Sequence, residues 1–219
     1  MKIKYPRTPH LPWSPGATID DVHHLDLQQF IGRQVVVTEK MDGENTTLYR
    51  DDMHARSIDG RYHPSRAWVK ALQANIGYQI PHGWRICGEN LYAQHSIAYN
   101  ELASYFLAFS VWDDNNNCLS WADTQVFLTS LGLSSPKVIY QGQWCEKTIR
   151  NIELDLSKQE GYVVRLADTF NYRDFKSSVA KWVRPNHVTS DKHWMHQQII
   201  ANKLRESSWD NENDNGVSS

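Results

Sequence analysis

Gln34-Val35-Val36-Val37-Thr38-Glu39-Lys40-Met41-Asp42-Gly43-Glu44-Asn45-Thr46-Thr47-Leu48-Tyr49 is the stretch on which the fold turns. Its first six residues are rich in β-branched side chains and read as a strand from Gln34 to Glu39. Thr46 to Tyr49 reads as a second strand, and Met41 to Asn45 carries a turn signal, so the segment predicts a hairpin. Lys40 therefore ends a strand just ahead of Gly43, a residue that leaves room for a ligand to approach the backbone. A lysine in that place acts as a nucleophile only if burial or neighbouring positive charge lowers its pKa from the ordinary value of about 10.4. Arg56, Lys181 and Arg184 are candidate cations, while Glu39, Asp42, Glu89 and Glu160 are carboxylates at strand ends or turns. Hard carboxylates near phosphates point to magnesium.

Outward from this stretch, strands are interleaved with a few helices. Trp84–Asn90, Tyr105–Trp112, Gly161–Leu166 and Val179–Val183 read as strands. Ser65 is placed to cap a helix from Arg66 to Ile76, with Val69, Leu72 and Ile76 on one face and Gly77 at its end. Ser120 and Gly132 bracket another helix. From about Asp191 to Leu204 the pairs Met195/Ile199 and Ile200/Leu204 have the four-residue spacing of a buried helical stripe. The expectation is one α+β domain over residues 21–206, built around antiparallel sheets. Ahead of it, residues 1–20 space Pro6, Pro9, Pro12 and Pro15 around Trp13, which reads as an extended strap anchored by Tyr5, Leu11 and Trp13. Residues 207–219 are almost wholly polar and are expected to be disordered.

Composition narrows the function classes. With 23 Lys+Arg against 25 Asp+Glu the formal charge is -2, so any polyanion must meet a local basic cluster, and a tail-driven nucleic-acid binder is excluded. Cys87, Cys118 and Cys145 are odd in number and never form a CxxC pair, which suggests neither a disulfide framework nor a thiolate zinc site. A reducing cytoplasm is the expected compartment. No stretch approaches the ~20 apolar residues of a membrane span. The 9 Trp and 10 Tyr suit either an aromatic mixed core or stacking surfaces for bases.

Each motif alone has an ordinary explanation: a hairpin turn, an edge lysine, a plain buried strand. Their order carries more. Glu39-Lys40-Met41-Asp42-Gly43, Ala55-Arg56-Ser57-Ile58-Asp59-Gly60, Cys87-Gly88-Glu89-Asn90, Phe106-Leu107-Ala108-Phe109, Glu160-Gly161-Tyr162-Val163-Val164 and Ala180-Lys181-Trp182 resemble the successive motifs of the covalent nucleotidyltransferases. These are the polynucleotide ligases and messenger-RNA capping enzymes, and the sequence is most similar to the RNA ligase branch that includes phage-type nick-sealing enzymes. The resemblance runs from about Val35 to Arg184.

That resemblance implies an antiparallel-sheet nucleotidyltransferase (ATP-grasp-like adenylation) domain with flanking helices. It implies that Lys40 attacks the α-phosphate of ATP and holds AMP as a phosphoamide, with Mg²⁺ or Mn²⁺ as cofactor. AMP would then pass to an RNA 5′-phosphate, and a 3′-hydroxyl would displace it to close the strand. By position, Glu39 contacts the adenine edge, Arg56 and Glu89 the ribose and phosphate region, and Phe109 stacks on the purine, with Phe106 the competing stacker. Glu160 supports metal or nucleotide binding, Lys181 neutralises charge on the α-phosphate, and Asp42, Gly43 and Asn45 complete the first loop.

The last motif departs from many relatives, which carry a second lysine where this chain has Val183, followed by Arg184. Too few residues follow Arg184 for the oligonucleotide-binding barrel that DNA ligases and capping enzymes append, so the expectation is a minimal RNA ligase without one, and whether strand joining needs an accessory protein or domain for the grip on RNA stays open. The oligomeric state is not legible. Alternatives are a DNA ligase, a GTP-using capping-type enzyme, or a non-catalytic nucleic-acid-binding relative. His193 and His196 suggest no third metal ligand, and Arg61, Arg66 and Lys70 read as either a phosphate track or a solvated helix face.

Overall fold

A computed structural model describes residues 1–18, 21–22, 27–58, 63–185 and 199–206. The polar tail, His193 and His196, Arg61 and the Asp59-Gly60 end of the second motif lie outside the described residues. In chain order the elements are β1 (Gln34–Lys40), β2 (Glu44–Leu48), β3 (Met53–Ala55), α1 (Ala67–Ile76), β4 (Arg85–Asn90), β5 (Phe106–Trp112) and β6 (Asn117–Cys118). Then follow α2 (Trp121–Ser130), β7 (Val138–Gln143), α3 (Glu146–Arg150), β8 (Gly161–Leu166), β9 (Phe170–Asn171), α4 (Phe175–Ser178) and β10 (Val179–Val183). They build two sheets, one of order β10-β8-β1-β7 and one of order β3-β2-β4-β5-β6-β9, in which every paired strand is antiparallel.

The expected hairpin between β1 and β2 does not form. β1 pairs with β7 on one edge and β8 on the other, whereas β2 pairs with β3 and β4 in the second sheet. The reason is burial: Val35, Val36 and Val37 are all fully buried, so β1 is a central strand with no edge left for its sequence neighbour. The turn residues Met41, Asp42 and Gly43 instead carry the chain from one sheet to the other.

Cross-strand partners put their side chains on one face of a sheet. The register therefore sets Val36, Thr38 and Lys40 of β1 on the same face as Val163 and Arg165 of β8 and Lys181 of β10. This face looks toward the second sheet, because the Arg165 guanidinium lies over Trp121 and Phe170 and donates to Leu119 O at 2.7 Å. The opposite face carries Tyr162 stacked on Trp182 with centroids 5.6 Å apart, closed over by Leu11, Trp13 and Ile149. On the far side of the second sheet, α1 and α2 bury Val69, Ile76 and Leu128 against Leu48, Ile86, Phe106 and Val111.

Ser120 Oγ accepts from Asp123 N at 3.1 Å at the start of α2, as its sequence suggests. At α1 the cap lies earlier: His63, not Ser65, accepts from a backbone N–H, and it opens a short 3-10 turn that leads into the helix. The helix expected over 191–204 falls partly outside the described residues. Its described end is extended, with Ala201 bridging Ala93 and Leu204 bridging Leu102. Ile200 and Leu204 are exposed there, so their spacing marks no buried stripe.

Residues 9–16 lie along the free edge of β10. Lys181 N donates to Pro9 O at 2.9 Å, Leu11 N to Lys181 O at 2.8 Å, and Val183 N to Ser14 Oγ at 2.9 Å. The missing N–H of each proline costs nothing at such a place, since Pro9 contributes only its carbonyl.

Gly161 opens β8 where a Cβ would overlap the Trp182 carbonyl of β10. Gly161→Ala should push β10 off β8 and lower stability by about 1–3 kcal/mol, read as a reduced urea midpoint with an unchanged slope.

Candidate active site

The site forms where β1 ends and the chain crosses between sheets. Lys40 Nζ donates to Glu160 Oε2 at 2.6 Å, and Glu160 is only 1% exposed. The contact depends on register: Lys40 faces Gly161, which brings the residue just before β8 beside the ammonium. From the second sheet, Asn45 and Glu89 are direct cross-strand partners and share one face. Glu89 Oε1 accepts from Gly43 N at 3.2 Å. A Cβ on Gly43 would run into Asn90 O and the Leu91 and Glu89 side chains, so glycine is required by close approach of the crossing loop to β4.

The charge states differ from the sequence expectation. Burial alone would lower the Lys40 pKa, but the Glu160 and Glu89 carboxylates outweigh it and leave the pKa above its ordinary value. Lys40 is therefore an ammonium in the ligand-free protein. Lys181 moves the other way, pushed down to about 8 by burial and by the nearby Lys40 charge, with Arg56 adding to the effect. Burial pushes Glu89 up to about 8, Lys40 opposing and Glu160 reinforcing the shift. Lys40, Glu160, Glu89, Lys181 and Arg56 thus form one electrostatic cluster drawn from both sheets. Asn45 Oδ1 is sealed from solvent and has no hydrogen-bond partner among the described residues, which is costly unless a ligand or water supplies one. Arg56 makes no hydrogen bond or ion pair with any described residue.

Three expected residues stand differently. Glu39, facing Tyr162, lies on the opposite face of β1 from Lys40, and burial raises its pKa while a Gln159 hydrogen bond opposes this. Strand alternation separates it from the cluster. Asp42 is buried, and its Oδ2 accepts from Ser96 N at 2.8 Å, Ser96 Oγ at 2.6 Å and Ile97 N at 3.0 Å. That carboxylate oxygen fastens the 96–97 turn to the crossing loop. Arg184 reaches Leu156 O at 2.6 Å and Ser96 Oγ at 3.4 Å, so it braces the same turn. Phe109 sits where the β4–β5 register shifts and is half-buried among the inter-sheet residues, whereas Phe106 is fully buried under α1. Of the two candidate stackers, Phe109 is therefore the one that lies between the sheets. Arg66 is not free for phosphate, because it makes a two-point ion pair with Glu44.

Sequence reasoning missed the support around this cluster. Tyr99 Oη accepts from Asp42 N at 2.9 Å, and Tyr99 N donates to Asn202 Oδ1 at 2.9 Å. Asn202, only 3% exposed, also donates to Leu91 O at 2.8 Å, tying residues 199–206 to the loop behind the crossing. Nothing in local spacing signals such partners, which lie 57 to 111 residues apart.

Among the described residues, no three His, Cys, Asp or Glu side chains converge as a metal site. The donors that are present fit a cation of another kind. Magnesium keeps several waters and is commonly held by one or two carboxylates with the remaining ligands from substrate phosphates. No helix of the described residues is long and apolar enough to cross a membrane.

Residues 33–183 match the RNA ligase family. Among solved structures, the chain is similar to an archaeal ATP-dependent RNA ligase, with a TM-score of 0.53 at 17% identity over 82% of this chain and 48% of that one. It is similar to a mutant Naegleria gruberi RNA ligase solved with ATP and Mn, with a TM-score of 0.51 at 16% identity over 83% and 60%. It is also similar to a putative ATP-dependent DNA ligase from Aquifex aeolicus, with a TM-score of 0.52 at 20% identity over 82% and 49%. The chain spans about half to three-fifths of the length of these proteins. At such identities the likeness is one of fold. No curated protein sequence matches the chain significantly.

The raised Glu89 pKa has a sign that can be measured. Between its ordinary value of 4.5 and about 8, the folded state binds more protons than the unfolded one, so this group makes stability fall as pH rises through that window. Glu89→Gln keeps an acceptor for Gly43 N and cannot ionise. Its thermal midpoint relative to the parent protein should therefore be higher at pH 8.5 than at pH 5.

Proposed function

The chain belongs to the RNA ligase family of covalent nucleotidyltransferases, and from that premise we propose that it is an ATP-dependent RNA ligase working through a lysyl-AMP intermediate on Lys40. The observation that carries this reading is the Lys40–Glu160 contact of 2.6 Å at the sheet crossing, with Lys181 and Arg56 in its electrostatic reach. A lysine that only guarded a sheet edge would not be drawn into a cluster of buried carboxylates from two sheets.

In this reading the Lys40 ammonium gives up a proton, for which the Glu160 carboxylate at 2.6 Å is the acceptor in reach, and Nζ forms the bond to the α-phosphorus of ATP as the bond to the leaving pyrophosphate breaks. Nucleotidyl transfer asks the protein mainly for positioning and for cations around the phosphate. Lys181 and Arg56 supply positive charge for the phosphate oxygens, and Phe109 offers its ring to the purine. The Glu160 carboxylate holds the Lys40 side chain toward the cleft before the nucleotide arrives, while Gly43 keeps the approach open. Glu160 is the carboxylate that would hold Mg²⁺ or Mn²⁺ with its waters, and Asn45, cross-strand from Glu89, brings an unpartnered Oδ1 to the Glu89 face. A divalent cation bound there would supply Lewis-acid neutralisation of the triphosphate. AMP would next pass to an RNA 5′-phosphate and be displaced by a 3′-hydroxyl. Residues or partners outside the described chain would complete the grip on RNA.

The test is intact-mass measurement after incubation with ATP and Mg²⁺ or Mn²⁺. An added AMP mass should map to the Lys40 peptide, be reversed by pyrophosphate, and vanish in Lys40→Ala. Lys181→Ala should slow adduct formation by at least about 100-fold, since it removes a charge needed mainly in the transition state. Absence of any adduct, or its survival in Lys40→Ala, would sink the reading. Nicked RNA against nicked DNA, and ATP against GTP, separate the RNA ligase from its DNA-joining and capping alternatives.

A further inference from the structure

The strap does more than cover a sheet edge. Ile3 N donates to Tyr49 Oη at 2.8 Å, and Tyr172 Oη donates to Lys4 O at 2.8 Å, so its first residues are tied to two separate parts of the second sheet's surroundings. Tyr5 is thereby delivered between the sheets. Its ring meets Phe109 edge-on at 5.3 Å and Phe175 edge-on at 5.1 Å between centroids. Its hydroxyl lies in the field of Cys87, Cys118, Arg165 and Glu89, residues of both sheets. Burial pushes its pKa well above the ordinary value, so it stays a protonated donor at any working pH.

This hydroxyl makes no hydrogen bond with any described residue, yet it is not sealed from solvent as the orphaned Asn45 Oδ1 is. The hydroxyls of Tyr49, Tyr99, Tyr105, Tyr140, Tyr162 and Tyr172 have partners, while those of the exposed Tyr78 and the partly exposed Tyr92 make no hydrogen bond with a described residue, as at Tyr5. A tyrosine hydroxyl carried into a protein interior normally finds one. Tyr5 instead leaves its donor and acceptor uncommitted beside Phe109. Along β8, Arg165 lies two residues beyond Val163, the cross-strand partner of Lys181, so Tyr5, in the field of Arg165, stands on the Lys40 side of that sheet.

We propose that Tyr5 forms the end wall of the base pocket and that its hydroxyl hydrogen-bonds the edge of the purine stacked on Phe109. Tyr5 is then a nucleotide-recognition residue contributed by the strap, a segment that bears none of the motifs. The proposal rests on the nucleotide-binding reading above and extends it to the base.

Tyr5→Phe keeps both ring contacts and removes only the hydroxyl. Because that hydroxyl has no partner in the free protein, the thermal midpoint should be unchanged. The dissociation constant for ATP, measured by equilibrium dialysis, should rise roughly 3- to 10-fold, the usual worth of one such hydrogen bond. The half-saturating ATP concentration for AMP-adduct formation should rise equally with the saturating rate unchanged. Binding of inorganic tripolyphosphate, which has no base, should be the same in both proteins. Unchanged ATP affinity, or equal weakening of ATP and tripolyphosphate, overturns the proposal. If the parent protein binds ATP but forms no adduct, the ligase reading fails, while the dialysis comparison still decides the role of Tyr5.

Discussion

The contact between the Lys40 ammonium and the Glu160 carboxylate is the constraint around which the rest is arranged. Two charges removed from water are expensive unless each satisfies the other, and removing one partner of such a pair typically costs about 3–5 kcal/mol. The structure meets that demand by joining the last residue of β1 to the residue that precedes β8. The β1–β8 register brings these two groups together, and the absence of a side chain at Gly161 lets β10 pair closely with β8 beside them. The same pairing puts Lys181 on the Lys40 side of the sheet, where two ammonium groups share one buried neighbourhood and Lys181 carries the lowered pKa.

A second tier of bonds fixes the loop through which the chain leaves that sheet. Asp42 holds the 96–97 turn, Tyr99 holds the Asp42 backbone, and Asn202 holds Tyr99. None of these groups faces the ammonium as Glu160 does. They determine where it sits, because the backbone of residues 41–43 has few other supports.

Much of the fold was legible from strand patterning. The β-branched run of β1, the strands over 85–90, 106–112, 161–166 and 179–183, and the helices α1 and α2 follow from side-chain periodicity and, at α2, from the Ser120 cap, which are local signals. Strand partners are not local. The turn signal at 41–45 is real, but Val35 to Val37 are buried on both faces, and that fact outweighs turn chemistry when β1 chooses its neighbours. The ordered motifs brought Lys40, Glu89, Glu160 and Lys181 into one expectation, and they share one cluster. Their protonation could not be read the same way: the carboxylate that keeps Lys40 charged is 120 residues distant. Asp42 and Glu39 show the other limit. A motif names a position, while strand alternation and a nearby turn decide which way its side chain is used.

The crossing at Met41-Asp42-Gly43 is one of four between the sheets among the described residues, the others running from β6 to β7, from β8 to β9 and from β9 to β10. Sheets stitched together at several points and sharing one core behave as a single stiff body. Lys40 stands at the root of one of these seams, so its ammonium inherits the rigidity of the whole block and not that of a lone loop.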